Sequence, residues 1–438
     1  MFENKKIFIL GMAKSGYNVA KLLCKNNEIL ITDKNDQDEE KVKELESLGV
    51  KFVKSDNPLE LFDDSFDMVI KNPGIMPFHE LLIEAEKLNI PIYNEMEVAY
   101  HFLPKNIKIV GVTGSNGKTT TTTMLYELLK RENISVVLGG NIGYPLSEVI
   151  PLIKDGDVLL LEISDHQLLN FHDFKTDISV LTNLCQTHLD YHGTYENYKK
   201  VKHNIFNHHT KNDLAIINAE NTDSMLLTKD INSTKEYFNG KDAYVSDNAI
   251  FIKGEKIIDT KDILVKGKHN YENIMAALLV LKEFKIDKNV VKDFFKEFKG
   301  VEHRIEFVCQ KGNLKFYNDS KATNPTSTIT ALNAFDEDTY LLLGGMQRKQ
   351  DFHELDRAIK NVKKIYAIGE TTDEVYDYAQ SVNIPCTKCY TLNEAMKCIK
   401  KDSIESGVVL LSPASASWDQ YAKFELRGDE FKNLAKNI

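Results

Sequence analysis

The residues richest in chemistry lie between Ile107 and Thr123, IKIVGVTGSNGKTTTTT. An apolar β-branched run from Ile107 to Val112 breaks into Thr113-Gly114-Ser115-Asn116-Gly117-Lys118-Thr119, and a helical pattern through Met124, Leu125, Leu128 and Leu129 follows. Strand, glycine loop and helix make a phosphate cradle. Glycines let backbone N–H groups close on phosphate oxygens, and the helix N-terminus adds a partial positive charge. Lys118 is placed to reach a β- or γ-phosphate, and the hydroxyl of Thr119 or Thr120 to meet magnesium. The spacing is G-x-x-G-x-x-G-K-T from Gly111, because Val112 stands where the commoner loop has its first glycine. This stretch predicts a bound nucleoside triphosphate.

Other residues fit around that loop. Asp157 to Leu161 is an apolar run ending in Glu162, and a carboxylate at the end of a buried strand beside a phosphate loop suits a magnesium ligand. After the strand Asp177 to Leu184 comes Gln186-Thr187-His188-Leu189-Asp190-Tyr191-His192. Its His188, Asp190 and His192 read either as a metal cluster or as a polar loop. The helix from Tyr195 to Asn207 carries Lys199, Lys200 and Lys202, and composition does not choose among them. Near the N-terminus, Gly11-Met12-Ala13-Lys14-Ser15-Gly16 follows a first strand and Asp33 ends the second. That pattern fits a dinucleotide loop or plain tight packing of strand and helix. Lys71-Asn72-Pro73-Gly74-Ile75 follows another strand, at the end where open α/β sheets bind ligands, or is a simple turn. Cys386-x-x-Cys389 has no second pair nearby, and the six cysteines are scattered, so neither a zinc site nor a disulfide framework is expected.

The elements that must position these residues alternate. Strands are expected at Lys6 to Leu10, Glu28 to Asp33 and Asp67 to Ile70, with helices at Ser15 to Lys25, near Glu39 to Leu48 and near His79 to Leu88. Such alternation implies a parallel sheet covered on both faces. Pro104 and Lys105-Asn106 mark a boundary into the phosphate-loop region, where Ile134 to Leu138 is a further strand. Residues 219–266 lose the α/β rhythm and read as a β excursion from the sheet, before Lys268-His269-Asn270 opens a helix. After Gly300 a hairpin around Lys311-Gly312-Asn313 leads to strands at Tyr340 to Leu343, Ile365 to Ile368 and Val408 to Leu411. The expectation is an α/β protein of three domains, with a Rossmann-like sheet in residues 1–95, a phosphate-loop ATPase domain with a small β excursion in 96–299, and a Rossmann-like domain in 300–438.

A chain of 438 residues with 42% apolar and 27% charged residues suits a soluble globular protein of several domains. A net charge of -10 argues against a general nucleic-acid binder. No run approaches a membrane span or a signal peptide. The expectation is a cytoplasmic monomer that binds small molecules, not nucleic acid or membrane.

GVTGSNGKTTT, LEIS with Gln167, THLDYHGTYENYKKVK, GKHNYENIMAA, HRIE, NDSKATNPTST, LLLGG and LLSPASASWDQYAKFELRGDEF follow one another along the chain. In order and spacing they resemble the Mur ligases, across nearly the whole chain. The NDSKATN and SPASASWDQYxxF stretches are similar to the branch that adds D-glutamate. The resemblance implies a step of peptidoglycan synthesis, and with it a part in cell-wall formation, cell shape and division. ATP would phosphorylate the terminal carboxylate of UDP-MurNAc-L-Ala, and the amine of D-glutamate would attack the acyl phosphate to give an amide, ADP and phosphate. Metal and lysine charge are then needed to bring two anions together.

By position, the resemblance assigns Ser15, Gly16, Asp33, Lys34, Asn72, Pro73 and Gly74 to the uridine diphosphate end. It assigns Asn141, Ser164 and Gln167 to the muramoyl portion. Gly114, Ser115, Asn116, Gly117, Lys118, Thr119 and Thr120 would hold the ATP phosphates, with Asn270, Arg304 and Asp319 also contacting ATP. Two magnesium ions are implied, with Thr119, Glu162, His188 and Lys202 as ligands, Lys202 as a carbamate. Lys118, Lys202, His188 and Glu162 form the catalytic group. Lys321, Thr323, Arg348, Ser417 and Phe424 would hold D-glutamate. Three departures stand out: Ala13 where glycine is common, Asp165-His166 in place of a more usual Ser-Phe, and Met346-Gln347-Arg348-Lys349 after the glycine pair. Arg348 or Lys349 would meet the glutamate side chain, bidentately if arginine and as a point charge if lysine.

Overall fold

In the computed structural model the described residues are 1–265, 267–348 and 350–438. The chain divides into two compact units, Met1–Thr260 with Tyr271–Lys292, and Lys261–Asn270 with Asp293–Ile438.

The first unit holds two sheets. Strands β1 (Lys6–Leu10), β2 (Glu28–Asp33), β3 (Lys51–Lys54), β4 (Met68–Lys71) and β5 (Ile92–Asn94) pair in parallel in the order β3-β2-β1-β4-β5. Ile7 and Ile9 of β1 pack into one buried cluster, Phe8 and Leu10 into another. A strand covered on both faces must be apolar at successive positions, which is how KIFIL reads. The strand order turns outward in both directions from β1 and β4, so the loops after these two strands flank the crevice where such sheets bind ligands.

The second sheet contains β6 (Lys108–Thr113), β7 (Val136–Gly140), β8 (Val158–Glu162), β9 (Ile178–Leu181), β10 (Leu214–Asn218), β11 (Thr234–Phe238), β12 (Ala243–Ser246), β13 (Ala249–Ile252) and β14 (Glu255–Asp259). Their order is β14-β13-β12-β11-β10-β9-β6-β8-β7. The short strands of the expected β excursion, β11 to β14, therefore stay in the sheet rather than leaving it. Strands β11 to β14 extend its edge, β11 parallel to β10 and β12 to β14 as antiparallel neighbours. Antiparallel strands need no crossover helix, so the helical period that marks the rest of the sheet is missing there.

The second unit is built on β15 (Glu306–Lys311), β16 (Asn313–Asn318), β17 (Thr339–Leu343), β18 (Val362–Ile368), β19 (Cys386–Tyr390) and β20 (Ser406–Leu411), in the order β15-β16-β20-β17-β18-β19. Among the described residues only the β15–β16 hairpin of this sheet is antiparallel, turning at Gly312 with φ 58°. All six cysteines are free, and Cys386 and Cys389 lie three apart on β19, so they face opposite sides of the sheet. Among the described residues no helix is long and apolar enough to cross a membrane.

Candidate active site

The loop after β6 has the expected form. Gly117, at φ 83°, immediately precedes the helix Lys118–Arg131, and a Cβ there would come 2.3 Å from Asn273 Oδ1. A Cβ on Gly114, at φ 142°, would come 2.0 Å from Thr182 Oγ1. Both positions exclude a side chain by conformation and by space. Lys118 curls over the loop, its Nζ donating to the carbonyls of Gly114 and Ser115 at 2.9 Å each. Ser115 Oγ lies 2.7 Å from the Tyr198 hydroxyl, and the Asn116 N–H donates to Asn183 Oδ1. Thr119 is buried and Thr120 half-buried in the first helical turn.

Glu162 closes β8, which lies between β6 and β7 in the sheet. Its Oε1 accepts from Asn141 Nδ2 at 2.7 Å, while Oε2 is buried with no hydrogen-bond partner. An orphaned buried carboxylate oxygen is costly unless a cation or donor joins it. This fits a divalent cation held by Glu162. Ser164 and Gln167 have a local role as well. They form a capping box on the short helix Asp165–Leu168, the Gln167 N–H donating to Ser164 Oγ and the Ser164 N–H to Gln167 Oε1.

The first turn of that helix brings Asp165 to the centre of a buried network. Its Oδ2 accepts from His188 Nδ1 at 2.9 Å and His192 Nε2 at 2.7 Å, and its Oδ1 lies 3.6 Å from Lys202 Nζ. His166 is the next ring, stacked on His188 at 5.3 Å between centroids. The acid that joins the two histidines is thus Asp165 and not Asp190, which is exposed in the loop. Asp165, His166 and His188 together have ligand atoms close enough to share a metal ion. Burial alone would raise the Asp165 carboxyl, but hydrogen bonds from His188 and His192 and the charge of Lys202 hold it well below the usual carboxylate range. Burial and Asp165 act oppositely on His166, and burial wins, lowering it to about 4.

Of the three lysines that composition left equal, Lys202 is the buried one, with a fully covered side chain. Its Nζ donates to Thr113 Oγ1 at 3.0 Å. Burial, then repulsion from Lys118, lower its amine to about 7 against the attraction of Asp165 and Glu162. Lys199 instead pairs with Glu196 and Asp223, and Lys200 is exposed. Lys118, Glu162, Asp165, His188 and Lys202 therefore occupy one charged neighbourhood.

In the first sheet, Asp33 Oδ2 accepts from the Met12 N–H at 2.9 Å and so braces the loop that ends β1, while Lys34 is exposed. Ser15 and Gly16 lie in the first turn of the helix Lys14–Leu23, and a Cβ on Gly16 would come 2.0 Å from the Gly11 carbonyl. Ala13 is exposed, immediately before the helix. Asn72 Oδ1 accepts from the Gly74 N–H and shapes the turn after β4. Lys71 was read only as part of this turn, yet it is buried, with its Nζ donating to Tyr191 Oη at 2.9 Å and to the Ile75 carbonyl. Burial lowers its amine to about 8. The Tyr191 hydroxyl donates in turn toward Pro73 and Ile75, tying the turn to the His188–His192 loop.

In the second unit, Asp319 is buried, with Oδ2 accepting from Ser412 Oγ at 2.7 Å and Oδ1 from the Ile305 N–H. Burial pushes its carboxyl up to about 7 despite the charge of Arg304. Asn270 sits at the start of the helix Lys268–Lys282. Lys321 Nζ lies 5.9 Å from the Phe424 ring centroid, and the Thr323 N–H donates to the Lys321 carbonyl. Ser417 is buried with its hydroxyl unpartnered, a donor and acceptor suited to a ligand. Arg348 stacks on Trp418, and Lys349, the alternative to it, lies outside the described residues.

Sequence reasoning passed over Arg427, which is 1% exposed and donates to Ser320 Oγ and to the carbonyls of Ser320, Ser415 and Ala416. It pins together the segments carrying Lys321 and Ser417. Its signal was present: Phe424, Arg427, Gly428 and Phe431 fall on one face of the helix Phe424–Lys436, where an arginine is out of place.

A phosphate loop, an unsatisfied carboxylate and a buried lysine beside a histidine pair describe a nucleotide-dependent enzyme. The Mur ligase middle domain matches residues 112–281, and the Mur ligase glutamate ligase domain matches residues 303–415. The chain is 41% identical over 440 residues to UDP-N-acetylmuramoylalanine–D-glutamate ligase of Bacillus cereus (strain G9842), covering 98% of this chain and 97% of that protein. The Bacillus thuringiensis (strain Al Hakam) protein of the same name is 40% identical with the same coverage. The chain belongs to the Mur ligase family. In fold it is similar to MurC of Thermotoga maritima, with TM-score 0.58, 18% identity and coverage of 99% of this chain and 100% of that one. It is likewise similar to MurF of Acinetobacter baumannii, with TM-score 0.60, 15% identity and coverage of 98% and 93%.

Proposed function

We propose that the protein joins D-glutamate to UDP-N-acetylmuramoyl-L-alanine at the expense of ATP, through an acyl phosphate, as a cytoplasmic step of peptidoglycan synthesis. The observation that carries this is the Gly114–Thr119 loop beside the unpaired Glu162 oxygen and the buried Lys202, in a chain aligned end to end with D-glutamate ligases. A carboxylate does not react with an amine until one of its oxygens becomes a good leaving group. Transfer of the γ-phosphoryl to the alanine carboxylate accomplishes that, and attack of the D-glutamate amine then forms the amide and releases phosphate.

Each group has a part. The glycine loop and the Lys118 ammonium would hold the ATP phosphates where charge accumulates in the transfer, while the Ser115 and Asn116 N–H groups donate to Asn183 and brace the loop. Thr119 and Glu162 would hold one divalent cation, and His188 with Lys202 as its carbamate a second; such ions offset the charge of two anions brought together. Ser15, Gly16, Asp33, Lys34 and Asn72 to Gly74 would take the uridine diphosphate at the β1/β4 crevice, with Asn141, Ser164 and Gln167 toward the muramoyl group. Asn270, Arg304 and Asp319 are assigned to ATP, and Lys321, Thr323, Arg348, Ser417 and Phe424 to D-glutamate. We assign residues 1–95, 96–299 and 300–438 to three domains accordingly, and a monomer as the working form.

The test is phosphate release from ATP with UDP-MurNAc-L-Ala and magnesium, adding D-glutamate, L-alanine, L-lysine or D-alanyl-D-alanine singly, with the product weighed by mass spectrometry. Release that requires D-glutamate, with a product heavier by one glutamyl residue, is expected. Dependence on another amino acid would retain the ligase and move the error to the Arg348 and Ser417 pocket.

A further inference from the structure

Trp418 is the single tryptophan of the chain and is 59% exposed. Its neighbours are firmly held: Ser417 is buried, and the Asp419 carboxylate accepts from the Glu370 N–H at 3.0 Å. The facing segment is tied to this loop along its length. The Gly344 N–H donates to the Pro413 carbonyl and the Met346 N–H to the Ala416 carbonyl, each at 2.9 Å. Gln350 adds a side-chain link, its Nε2 donating to Ser415 Oγ at 2.7 Å while its Oε1 accepts from the Arg348 N–H. Between these fixed strands of backbone, the Arg348 guanidinium lies over the Trp418 ring, 4.6 Å from its centroid.

An exposed indole with a guanidinium on its face is explained by what the stack does to the arginine. A guanidinium held over an indole has one side covered by the ring, and where the two planes lie parallel its edge N–H donors point outward, the edge a carboxylate engages with two parallel hydrogen bonds. Stacking also removes side-chain freedom before the ligand arrives, so less ordering is needed on binding. We propose that Trp418 is the shelf that orients Arg348 toward the side-chain carboxylate of the incoming amino acid, a positioning residue that sets specificity for a dicarboxylate. This rests on the D-glutamate assignment above.

The experiment uses the full chain and compares wild type with Trp418→Leu, Trp418→Phe, Arg348→Ala and the double variant Trp418→Leu/Arg348→Ala. Trp418→Leu is expected to raise KM for D-glutamate by about twofold to fivefold, the size of an exposed cation–π contact, with KM for ATP and for UDP-MurNAc-L-Ala unmoved. Trp418→Phe keeps a ring and should recover part of the loss. The double variant should be no worse than Arg348→Ala, because the shelf matters only while the arginine is there. A KM for D-glutamate unchanged in Trp418→Leu, all three KM values rising together, or additive losses would each overturn the proposal. Emission of the lone tryptophan supplies a readout that needs no turnover: Arg348→Ala should change it, and identical spectra would mean the stack is absent in solution. If wild type releases no phosphate in response to D-glutamate, the reaction assignment fails while the emission comparison still decides the stack.

Discussion

Asp319 shows how one buried group makes a statement about pH. Its carboxyl is raised to about 7 by burial, whereas in the unfolded chain it titrates near 4. Between these values the folded protein holds one more proton than the unfolded one, so this group's stabilisation is complete below about pH 4 and is lost as pH rises to 7, at about 1.4 kcal/mol per unit. Asp319→Asn keeps the shape and removes the titration. In urea unfolding, the stability of wild type relative to Asp319→Asn should fall by up to about 4 kcal/mol between pH 4 and pH 7; a constant difference across that range would refute the assignment. At this scale the sequence was read unevenly. Glu162 was legible because a charge at the end of an apolar strand needs a partner. Choosing Lys202 over Lys199 and Lys200 required burial, which the helix alone does not display. Asp165 was seen only as a departure, because its partners His188 and His192 are 23 and 27 positions away and meet it only when the loop folds back.

Elements were clearer where one strand precedes one helix. The loop after β6 could be read from its glycines, and the structure adds the reason for each: Gly117 at φ 83° has Asn273 against it. Gly117→Ala would place a side chain in a left-handed conformation and against a buried amide, with strain of about 1–3 kcal/mol. ATP binding by calorimetry should be lost or weakened at least tenfold while the far-ultraviolet circular dichroism is retained; wild-type affinity would show that the loop's closeness to Asn273 is not needed. Short or hairpin elements were harder. Strand β5 has three residues, too few to show a period, and it runs directly into the helix Glu95–Tyr100. The strands after β11 lack the helical spacers that made the other βα units visible. The helix Phe424–Lys436 was not placed, its residues standing only within the quoted motif, and its buried Arg427 was passed over.

At the scale of the whole molecule, three sheets each carry their candidate residues at strand ends: the loops after β1 and β4, the loop after β6 with Glu162 of β8, and the segments after β16, β17 and β20. The α/β class followed from the alternation of apolar strands with helices, and the family from motifs spread along the chain. Strand order did not, because it is decided by long-range pairing such as β6 between β8 and β9. The central claim is that ATP activates the alanine carboxylate before the amine attacks. Its most direct test supplies UDP-MurNAc-L-Ala labelled with oxygen-18 in the terminal carboxylate, together with ATP, magnesium and D-glutamate. If the acyl phosphate forms, one labelled oxygen leaves with each phosphate released, and the amide product retains the other. Unlabelled phosphate accompanying amide formation would contradict the account.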